Sequence, residues 1–305
     1  MALISRRLFL RSAGAVAAST AGLGSYAFAI EPGWRLDVTR YALTPPRWPA
    51  GLRLKVGVIA DIHACRPMMG PQHIRTIVGL TNGLKPDIIV ILGDFNGAHR
   101  YVSGPVMPEE WAAVLAELRA PLGVYSVLGN HDFWHGALPT LKGDEGESVR
   151  RALRSANIRL LENDAVRINT PNGPFWLAGL GDQMAHHPSR SVFIGIDDLP
   201  GTLRQVTDSA PVLLLAHEPA IFRRMEPRVS LTLCGHTHGG QVYIPGFGTP
   251  AIARERAYVY GHIVENGQHM IISGGLGTSI IPVRFMRPPE VVEVVLGDTT
   301  ATTPS

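Results

Sequence analysis

Residues 55–63 read KVGVIADIH, an apolar run that stops at a carboxylate and an imidazole. Four later apolar runs also stop at polar residues, which are Gly93-Asp94, Gly129-Asn130-His131-Asp132, His217-Glu218-Pro219 and Gly235-His236-Thr237-His238-Gly239-Gly240. All five runs are short, β-branched or Leu-rich, and bounded by Gly, Pro, Asp or Asn, which is typical of buried strands. The sequence therefore predicts five buried strands, over residues 55–60, 88–92, 124–128, 212–216 and 231–234.

Amphipathic stretches separate the first of these strands. Apolar residues spaced along one face predict helices over residues 73–84, 109–119 and 147–156. Further strands are predicted over residues 159–161, 165–168, 175–180, 241–244, 258–264, 269–273 and 291–296. Alternating strands and helices favour a layered α/β fold. Because the chain has no internal repeat and no break in composition, a single domain is the simplest interpretation.

The composition is that of a soluble globular protein, with 45% hydrophobic and 17% charged residues among 305. The formal net charge is +3, but the first 29 residues contain three arginines and no acid. The remaining chain carries 25 basic and 25 acidic residues and is neutral overall. A neutral chain lacks the broad basic surface that long nucleic acids require, so no long nucleic acid is expected as a partner.

The two cysteines, Cys65 and Cys234, are too few to build a disulfide-based fold. Each lies within two residues of a motif histidine, Cys65 after His63 and Cys234 before His236, which would bring them near each other if the motifs converge. A disulfide and a pair of partly buried thiols are both compatible with this spacing. In either case the apolar core must hold the fold.

The amino terminus resembles a twin-arginine export signal. Ser5-Arg6-Arg7-Leu8-Phe9-Leu10-Arg11 precedes a weakly hydrophobic Ala/Gly/Ser stretch, and Ala27-Phe28-Ala29 has the small residues of a cleavage site. Recognition by the twin-arginine translocation machinery and a periplasmic or cell-envelope location are expected. Residues 12–30 are also about long enough to cross a bilayer, so an uncleaved anchor is the alternative.

The polar strand ends indicate a metal site. Open α/β sheets bind ligands at the carboxyl ends of their strands. Asp61 and His63 stand two residues apart on an extended segment, so both side chains can reach one cation. One such motif alone is more often a turn or a helix cap, but five in this order favour a shared site. Mixed carboxylate, amide and imidazole ligands suit Mn, Fe or Zn, and leave the identity of the metal open.

The five strand ends resemble the signature of the calcineurin-like metallophosphoesterases: DxH, GD, GNHD or GNHE, a lone His, and GHxH. The resemblance extends from about Leu54 to Gln241. Pro282-Val283-Arg284 and Pro288-Pro289-Glu290 are similar to the closing region of the exported bacterial branch of the family. The resemblance implies a four-layer α/β/β/α sandwich. The implied division is a signal peptide over residues 1–29, a lead over 30–53, the metallophosphoesterase domain over 54–297 and a disordered tail over 298–305.

The resemblance also implies two divalent or trivalent metal ions and assigns their ligands by motif position. These are Asp61, His63 and His238 for one ion, Asn130, His217 and His236 for the other, and Asp94 bridging both. His131 is expected beside the leaving group rather than on a metal, with Asp132 orienting it.

The implied activity is hydrolysis of a phosphodiester or phosphomonoester by a metal-bridging hydroxide, with His131 assisting the leaving group. Two ions can bring the pKa of coordinated water to about 7, which supplies a nucleophile at neutral pH. The expected substrate is a small phosphate ester or a lipid headgroup, and the expected oligomeric state is a monomer. A noncatalytic metal-binding scaffold and a membrane-held lipid-linked pyrophosphatase are the alternatives.

Weaker signals surround the motifs. Gly97 stands where purple acid phosphatases carry a metal-binding Tyr, which argues against an iron–tyrosinate centre. His135, His186 and His187 are expected to be surface histidines, although each could face the substrate. Asp182 is expected to have either a structural role or a role in supporting a metal ligand.

Overall fold

The structure is a computed structural model that describes residues 5–97, 103–134, 143–189, 191–250 and 257–297. The predicted tail over residues 298–305 and the candidate His135 lie outside the described residues.

Most of the described strands form two large sheets. Their bounds are β1 (Asp37–Leu43), β2 (Leu54–Ile59), β3 (Cys65–Arg66), β4 (Ile88–Leu92), β5 (Gly104–Pro105), β6 (Val124–Val127), β7 (Arg159–Leu160), β8 (Asp164–Thr170), β9 (Gly173–Gly179), β10 (His186–Ser189), β11 (Val192–Ile194), β12 (Val212–Leu215), β13 (Val229–Cys234), β14 (Gly261–Glu265), β15 (Gln268–Ile272) and β16 (Glu290–Leu296).

The helices flank these sheets or precede them. Their bounds are α1 (Arg6–Ser25), α2 (Glu31–Trp34), α3 (Pro71–Gly83), α4 (Pro108–Leu115), α5 (Asn130–Trp134), α6 (Glu147–Ser155) and α7 (Leu199–Arg204). A π-helical turn over Tyr26–Ile30 joins α1 to α2, and 3₁₀ turns cover Pro219–Arg224 and His238–Gly240.

The first sheet has the strand order β1-β16-β2-β4-β6-β7, and the second has the order β14-β15-β13-β12-β9-β8. Strands β2, β4, β6 and β7 run parallel, as do β9, β12, β13 and β15. The parallel strands of each sheet therefore end at a common edge. These edges carry the five motifs.

Three apolar clusters separate four layers. Alternate residues of a strand point to opposite faces, so Ile89 and Ile91 of β4 pack towards the helices, while Ile88 and Val90 pack between the sheets. A third cluster packs α7 on the outer face of the second sheet. Parallel strands buried on both faces are apolar throughout, as the sequence of β4 is. The architecture is the expected α/β/β/α sandwich.

The five predicted motif strands are confirmed to within two residues, and three other sequence expectations need correction. Residues 241–244 form no strand, because Val242 and Ile244 make only single bridges, to Phe285 and Gly248. Helix α4 ends four residues before the predicted end at Arg119, and β14 begins at Gly261 rather than at residue 258.

The lead over residues 30–53, for which the sequence predicts no strand, contributes β1 to the first sheet. Strand β1 pairs in parallel with β16 from Asp37↔Glu290 to Leu43↔Leu296. Four of its seven residues are only partly buried and one is exposed, as expected at the edge of a sheet. The apolar signal is therefore weaker than in the central strands.

Helix α1 and the turns after it include a segment, Leu10–Trp34, that is long and apolar enough to cross a membrane. Length and composition alone support this statement, and a signal sequence passes the same test. Only 6% of the apolar window is buried within the protein.

Candidate metal centre

The strand ends converge on two adjoining groups of side chains. In the first group, ligand atoms of four residues lie within 4.8 Å of one another, and a second group shares one residue with it. The groups are Asp61, His63, Asp94 and His238, and Asp94, His217 and His236. Asn130 joins the second group, since its Oδ1 lies 3.0 Å from His236 Nδ1. All seven expected ligands are thus brought together from five strand ends.

Asp94 lies between the two groups. Its Oδ2 atom is 3.3 Å from His63 Nε2 and 3.2 Å from His217 Nε2. Its Oδ1 accepts a hydrogen bond from the backbone amide of His131 at 2.9 Å. The carboxylate is buried, so both oxygens are held in fixed positions. This is the placement that a bridging ligand requires.

The hydrogen bonds of the histidines fit a cation. Nδ1 of His63 donates to Asn96 O at 3.0 Å, and Nδ1 of His238 donates to Gly277 O at 3.3 Å, because a carbonyl can only accept. Burial lowers the pKa of His63 to about 3 and that of His238 well below its usual value, so both rings are neutral. Their Nε2 lone pairs then face each other at 3.0 Å, an arrangement that a bound cation stabilises.

The carboxylates give a second indication that the site fits a cation. Asp61 Oδ1 accepts the amide of His236 at 2.8 Å, but buried Asp61 Oδ2 has no hydrogen-bond partner among the described residues. A buried carboxylate oxygen without a partner is costly unless a cation binds it. Burial raises the pKa of Asp61 to about 7, while that of Asp94 is lowered because His217 and its neighbours outweigh burial.

His217 completes this arrangement from β12. Its Nδ1 donates to Leu92 O at 2.6 Å, so Nε2 is directed towards Asp94. Burial lowers the pKa of His217, but the Asp94 carboxylate outweighs it and raises the pKa well above its usual value. A metal ion would take the place of the Nε2 proton.

The candidate ligands adopt a backbone conformation that most residues avoid. Asp61, His63, Asp94, His236 and His238 all have positive φ, between 45° and 71°. Left-handed backbone costs roughly 1–3 kcal/mol for a residue with a side chain and clusters at functional sites. Three of the five motif strands, β2, β4 and β13, are therefore followed by strained residues whose side chains turn into the centre.

Two glycines allow the strand ends to approach one another. A Cβ atom on Gly129 would lie 2.4 Å from Asp94 Oδ1 and 2.6 Å from His217 Cε1. On Gly275, whose φ is +66°, it would lie 2.7 Å from Asp61 Oδ2. A larger residue at either position would displace a candidate ligand.

His131 stands beside the centre rather than in either ligand group. Its ring lies edge-on to that of His63 at 5.1 Å, and its Nε2 is 3.4 Å from Ser279 Oγ. Nδ1 is buried and has no hydrogen-bond partner among the described residues. Burial lowers the pKa of His131, although Asp94 opposes this shift. The ring therefore borders the candidate ligand groups without joining either of them.

Asp132 does not orient the His131 ring as the sequence analysis expected. Its carboxylate accepts the backbone amides of Asp94 at 3.0 Å, Phe95 at 2.9 Å and Gly129 at 2.9 Å. The side chain therefore joins the loop after β4 to the turn after β6. Burial and the nearby Asp94 raise the pKa of Asp132 to about 7. Asp132 positions backbone rather than a reacting group.

Arg284 is a site residue that the sequence analysis did not single out. Its fully buried guanidinium donates to Gly274 O at 2.9 Å, Gly277 O at 2.6 Å and Arg287 O at 2.9 Å. Its Nη2 lies 3.4 Å from His238 Nδ1. A cation inside an otherwise apolar closing segment is the sequence signal that could have identified it.

The remaining candidates lie around this centre. Asp182 is buried close to His217 and Glu218, and burial with the Glu218 charge raises its pKa. His186 is half-buried, and exposed His187 packs edge-on to Trp134 at 4.6 Å.

The two cysteines and Gly97 lie near the same centre. No disulfide joins Cys65 and Cys234 in the described structure, and both thiols are buried. A Cβ on Gly97 would lie 2.9 Å from Ala64 O, so the backbone leaves no space for a tyrosine there.

Comparison with known proteins agrees with this geometry. A family model for calcineurin-like phosphoesterases matches residues 54–240, which include every candidate ligand. The chain belongs to the calcineurin-like phosphoesterase family. An uncharacterized metallophosphoesterase of Aquifex aeolicus (strain VF5) is 32% identical over 262 residues, covering 86% of this chain and 92% of the relative.

Two further relatives align along nearly their whole length. The uncharacterized metallophosphoesterase YkuE of Bacillus subtilis (strain 168) is 31% identical over 310 residues, covering 97% of this chain and 99% of the relative. Phosphodiesterase YaeI of Escherichia coli (strain K12) is 31% identical over 297 residues, covering 96% and 100%. This calcineurin-like phosphoesterase is a metal-dependent phosphoric ester hydrolase, and its family uses a dinuclear metal centre.

Proposed function

We propose that this phosphoesterase is an exported phosphodiesterase whose two ions, Mn, Fe or Zn, are held by the seven ligands named above. A phosphodiester is favoured over a monoester because the relative from Escherichia coli is a named phosphodiesterase. When bound, the ions supply Lewis-acid activation of water and of the phosphoryl group. The observation that carries the proposal is the position of Asp94 Oδ2, within 3.3 Å of a histidine of each group.

The chain's own residues bind and orient the ester. Asp61 and Asp94 would hold two divalent ions with a net charge of about +2 in a buried site, and this charge would attract an anionic phosphate ester. The backbone amide of His131 donates a hydrogen bond to Asp94 Oδ1, which holds the residue beside the centre. In its imidazolium form, the His131 ring gives one proton to the departing alkoxide and is left neutral. Ser279, next to His131 Nε2, fixes the ring orientation.

Export is supported by the amino terminus. Arg6 and Arg7 open α1, and an apolar segment long enough for a signal or an anchor follows them. We propose translocation by the twin-arginine machinery and a periplasmic or envelope-associated monomer that acts on a small phosphate ester or a lipid headgroup.

The test compares Asp94→Asn with His131→Gln. Asp94→Asn removes the charge that links both ligand groups, so purified protein should lose metal and metal-dependent hydrolysis of bis(p-nitrophenyl) phosphate together. His131→Gln should keep its metal and lose roughly 10²- to 10⁴-fold in rate, the usual contribution of a general acid. Elemental analysis and the rate are measured on the same samples.

Asp164→Asn, which changes an exposed carboxylate, is the control and should keep both the metal and the rate. Full activity of Asp94→Asn would refute the bridging assignment. Equal metal loss in His131→Gln would place His131 among the ligands and refute its assignment to the leaving group.

A further inference from the structure

Exposed apolar side chains border the candidate centre on the side of His131. We call five of them the apolar rim: Ile244, Phe247, Ile280, Ile281 and Met286. Phe247 is 86% exposed and Ile280 is 80% exposed. Contiguous exposed apolar surface is uncommon on soluble proteins and marks an interaction site.

The apolar rim is built into the site by hydrogen bonds. Gln241, three residues after His238, donates to Ile281 O at 3.2 Å and accepts from Ser279 N at 2.6 Å. The backbones of Tyr243 and Phe285 hydrogen bond at 2.9 Å, which joins the two rim loops. Ser279 in turn contacts His131, so Ile280 lies one residue from a group that touches the site.

A second apolar surface also adjoins His131. The His131 ring packs edge-on to Trp134 at 5.2 Å, and Trp134 stacks on Phe193 at 5.7 Å. Val192, Phe193 and Ile194 form β11 and are all exposed. Two apolar surfaces therefore adjoin His131, the apolar rim through Ser279 and β11 through Trp134.

Charge is almost absent from the apolar rim. The segments 241–248 and 279–286 read QVYIPGFG and SIIPVRFM, and their only Lys, Arg, Asp or Glu is Arg284, which is buried. Ile280 has a φ of +66°, a conformation that is costly for a β-branched residue, and it still presents its side chain to solvent. An apolar medium, rather than a charged partner, suits such a surface.

The segment that can span a membrane ends on this surface. Glu31 accepts the amides of Met286 at 3.0 Å and Arg287 at 2.6 Å, Ala27 O accepts the amide of Arg284 at 3.0 Å, and Tyr26 packs edge-on to Phe285 at 6.3 Å. Helix α1, with 20 residues and a length of about 30 Å, leads directly into these contacts. Trp34 at the end of α2 is 86% exposed, as interfacial aromatics are.

We propose that the apolar rim docks on a lipid bilayer, with α1 as the anchor, and that the natural substrate is a phosphate ester of a bilayer lipid. The inference rests on the proposed hydrolase function and names the class of its substrate. The rim enters the apolar boundary of the bilayer and places His131 and the metal ligands at the depth of the lipid phosphates. The lipid chains remain in the membrane between the two apolar surfaces.

The experiment uses the full chain reconstituted in phosphatidylcholine vesicles and two esters with the same scissile bond. Hexadecyl p-nitrophenyl phosphate is embedded in the vesicles, and methyl p-nitrophenyl phosphate is dissolved in water. Phe247→Ser/Ile280→Asn removes rim apolarity, and Asn tolerates the left-handed backbone at position 280. We expect this variant to lose about tenfold or more in rate on the vesicle ester, and to keep its rate on the methyl ester within about twofold.

Val264→Ser is the matched control, because Val264 is 53% exposed and pairs with His269 at the end of β15 that is remote from the centre. It should leave both rates unchanged. All three proteins keep α1, so attachment to vesicles is equal and only the rim differs. Equal vesicle rates for the rim variant and the unchanged chain would overturn the inference. If the unchanged chain hydrolyses neither ester with any metal, the proposed hydrolase function fails instead.

A second measurement does not depend on hydrolysis or on a variant. Vesicles should slow amide hydrogen exchange in residues 243–248 and 280–286, relative to the same protein in detergent, and leave β14 unchanged. Unchanged exchange in the rim segments would contradict docking. Protection that appears without vesicles as the protein concentration rises would assign the rim to a second copy of the chain and overturn the lipid assignment.

Discussion

At the scale of single residues, the centre combines strained backbone with histidine rings that are oriented by backbone carbonyls. His63, His217 and His238 each direct Nδ1 to a backbone carbonyl, which fixes the ring and leaves Nε2 for the cavity. Such hydrogen bonds orient metal ligands and select their tautomer. Arg284 belongs to the same arrangement, because Gly277 O accepts from both Arg284 and His238. One buried cation thus holds the loop that supports a candidate ligand.

Arg284→Met should therefore destabilise the fold and weaken metal binding. The change leaves the carbonyls of Gly274, Gly277 and Arg287 without their donor, at a cost of about 2 to 4 kcal/mol. Arg284→Lys should recover part of the stability but less of the metal, since an ammonium cannot reproduce the planar fork. Urea unfolding and metal content are the measurements.

The control for Arg284 is Arg159→Met, because the side chain of Arg159 is exposed and forms a surface ion pair with Asp164 at 3.4 Å. It should change the unfolding free energy by less than about 0.5 kcal/mol. An Arg284→Met protein as stable as this control would show that the buried guanidinium does not hold the loop.

At the scale of secondary structure, the parallel strands bring their motifs to one edge, and side-chain carboxylates join the connecting loops by hydrogen bonds. Asp132 is one of these carboxylates. Asp208 is another, far from the centre: it accepts Trp176 Nε1 at 2.8 Å and Arg167 Nε at 2.7 Å. These bonds fasten the β8–β9 hairpin to the loop before β12. Hydrogen bonds from Trp176, from the Ala210 amide and from Arg167 lower the pKa of the Asp208 carboxyl to about 2.

Asp208→Asn should destabilise the fold in a pH-dependent way. Because the folded-state pKa of Asp208 is about 2 and the ordinary pKa of an aspartate is 3.8, the contribution of Asp208 to stability is present above pH 3.8 and is lost as the pH falls towards 2. The difference in unfolding free energy between the unchanged chain and Asp208→Asn should narrow over that interval. Urea unfolding at neutral pH and near pH 3 measures it.

Asp37→Asn, which removes an exposed ion pair with Arg35, is the control and should give a small difference at both pH values. If the difference in unfolding free energy between the unchanged chain and Asp208→Asn is the same at neutral pH and at pH 3, the low pKa does not belong to the folded state.

The same scale shows what the sequence can and cannot predict. The central strands are predictable because burial on both faces makes them apolar throughout, and the motifs at their ends identify the seven candidate ligands. Strand β1 could not be predicted from the sequence, because an edge strand with one exposed side has a weak apolar pattern. The role of Asp132 could not be predicted from the sequence either, since its hydrogen-bond partners are backbone amides, which every residue type other than proline carries.

At the scale of the whole molecule, the apolar core and the metal centre occupy different places, but the centre still affects the free energy of unfolding. Three apolar clusters lie between the four layers, and the centre sits at their edge. The core is therefore complete without the ions. Without cations, however, Asp61 and Asp94 are buried carboxylates in one pocket, which is unfavourable.

Removing the metal with a chelator should accordingly lower the melting temperature without unfolding the chain. A ligand present at 100 times its dissociation constant stabilises the native state by about 2.7 kcal/mol. For a chain of this size, we expect a decrease of about 5 to 10 °C, with the far-ultraviolet circular dichroism unchanged at 25 °C.

Asp94→Asn is the matched comparison, because it cannot join the two ligand groups and should respond little to the chelator. Complete unfolding by the chelator at 25 °C would mean that the ions hold the sandwich together. An identical decrease in Asp94→Asn would mean that the stabilising cation binds elsewhere.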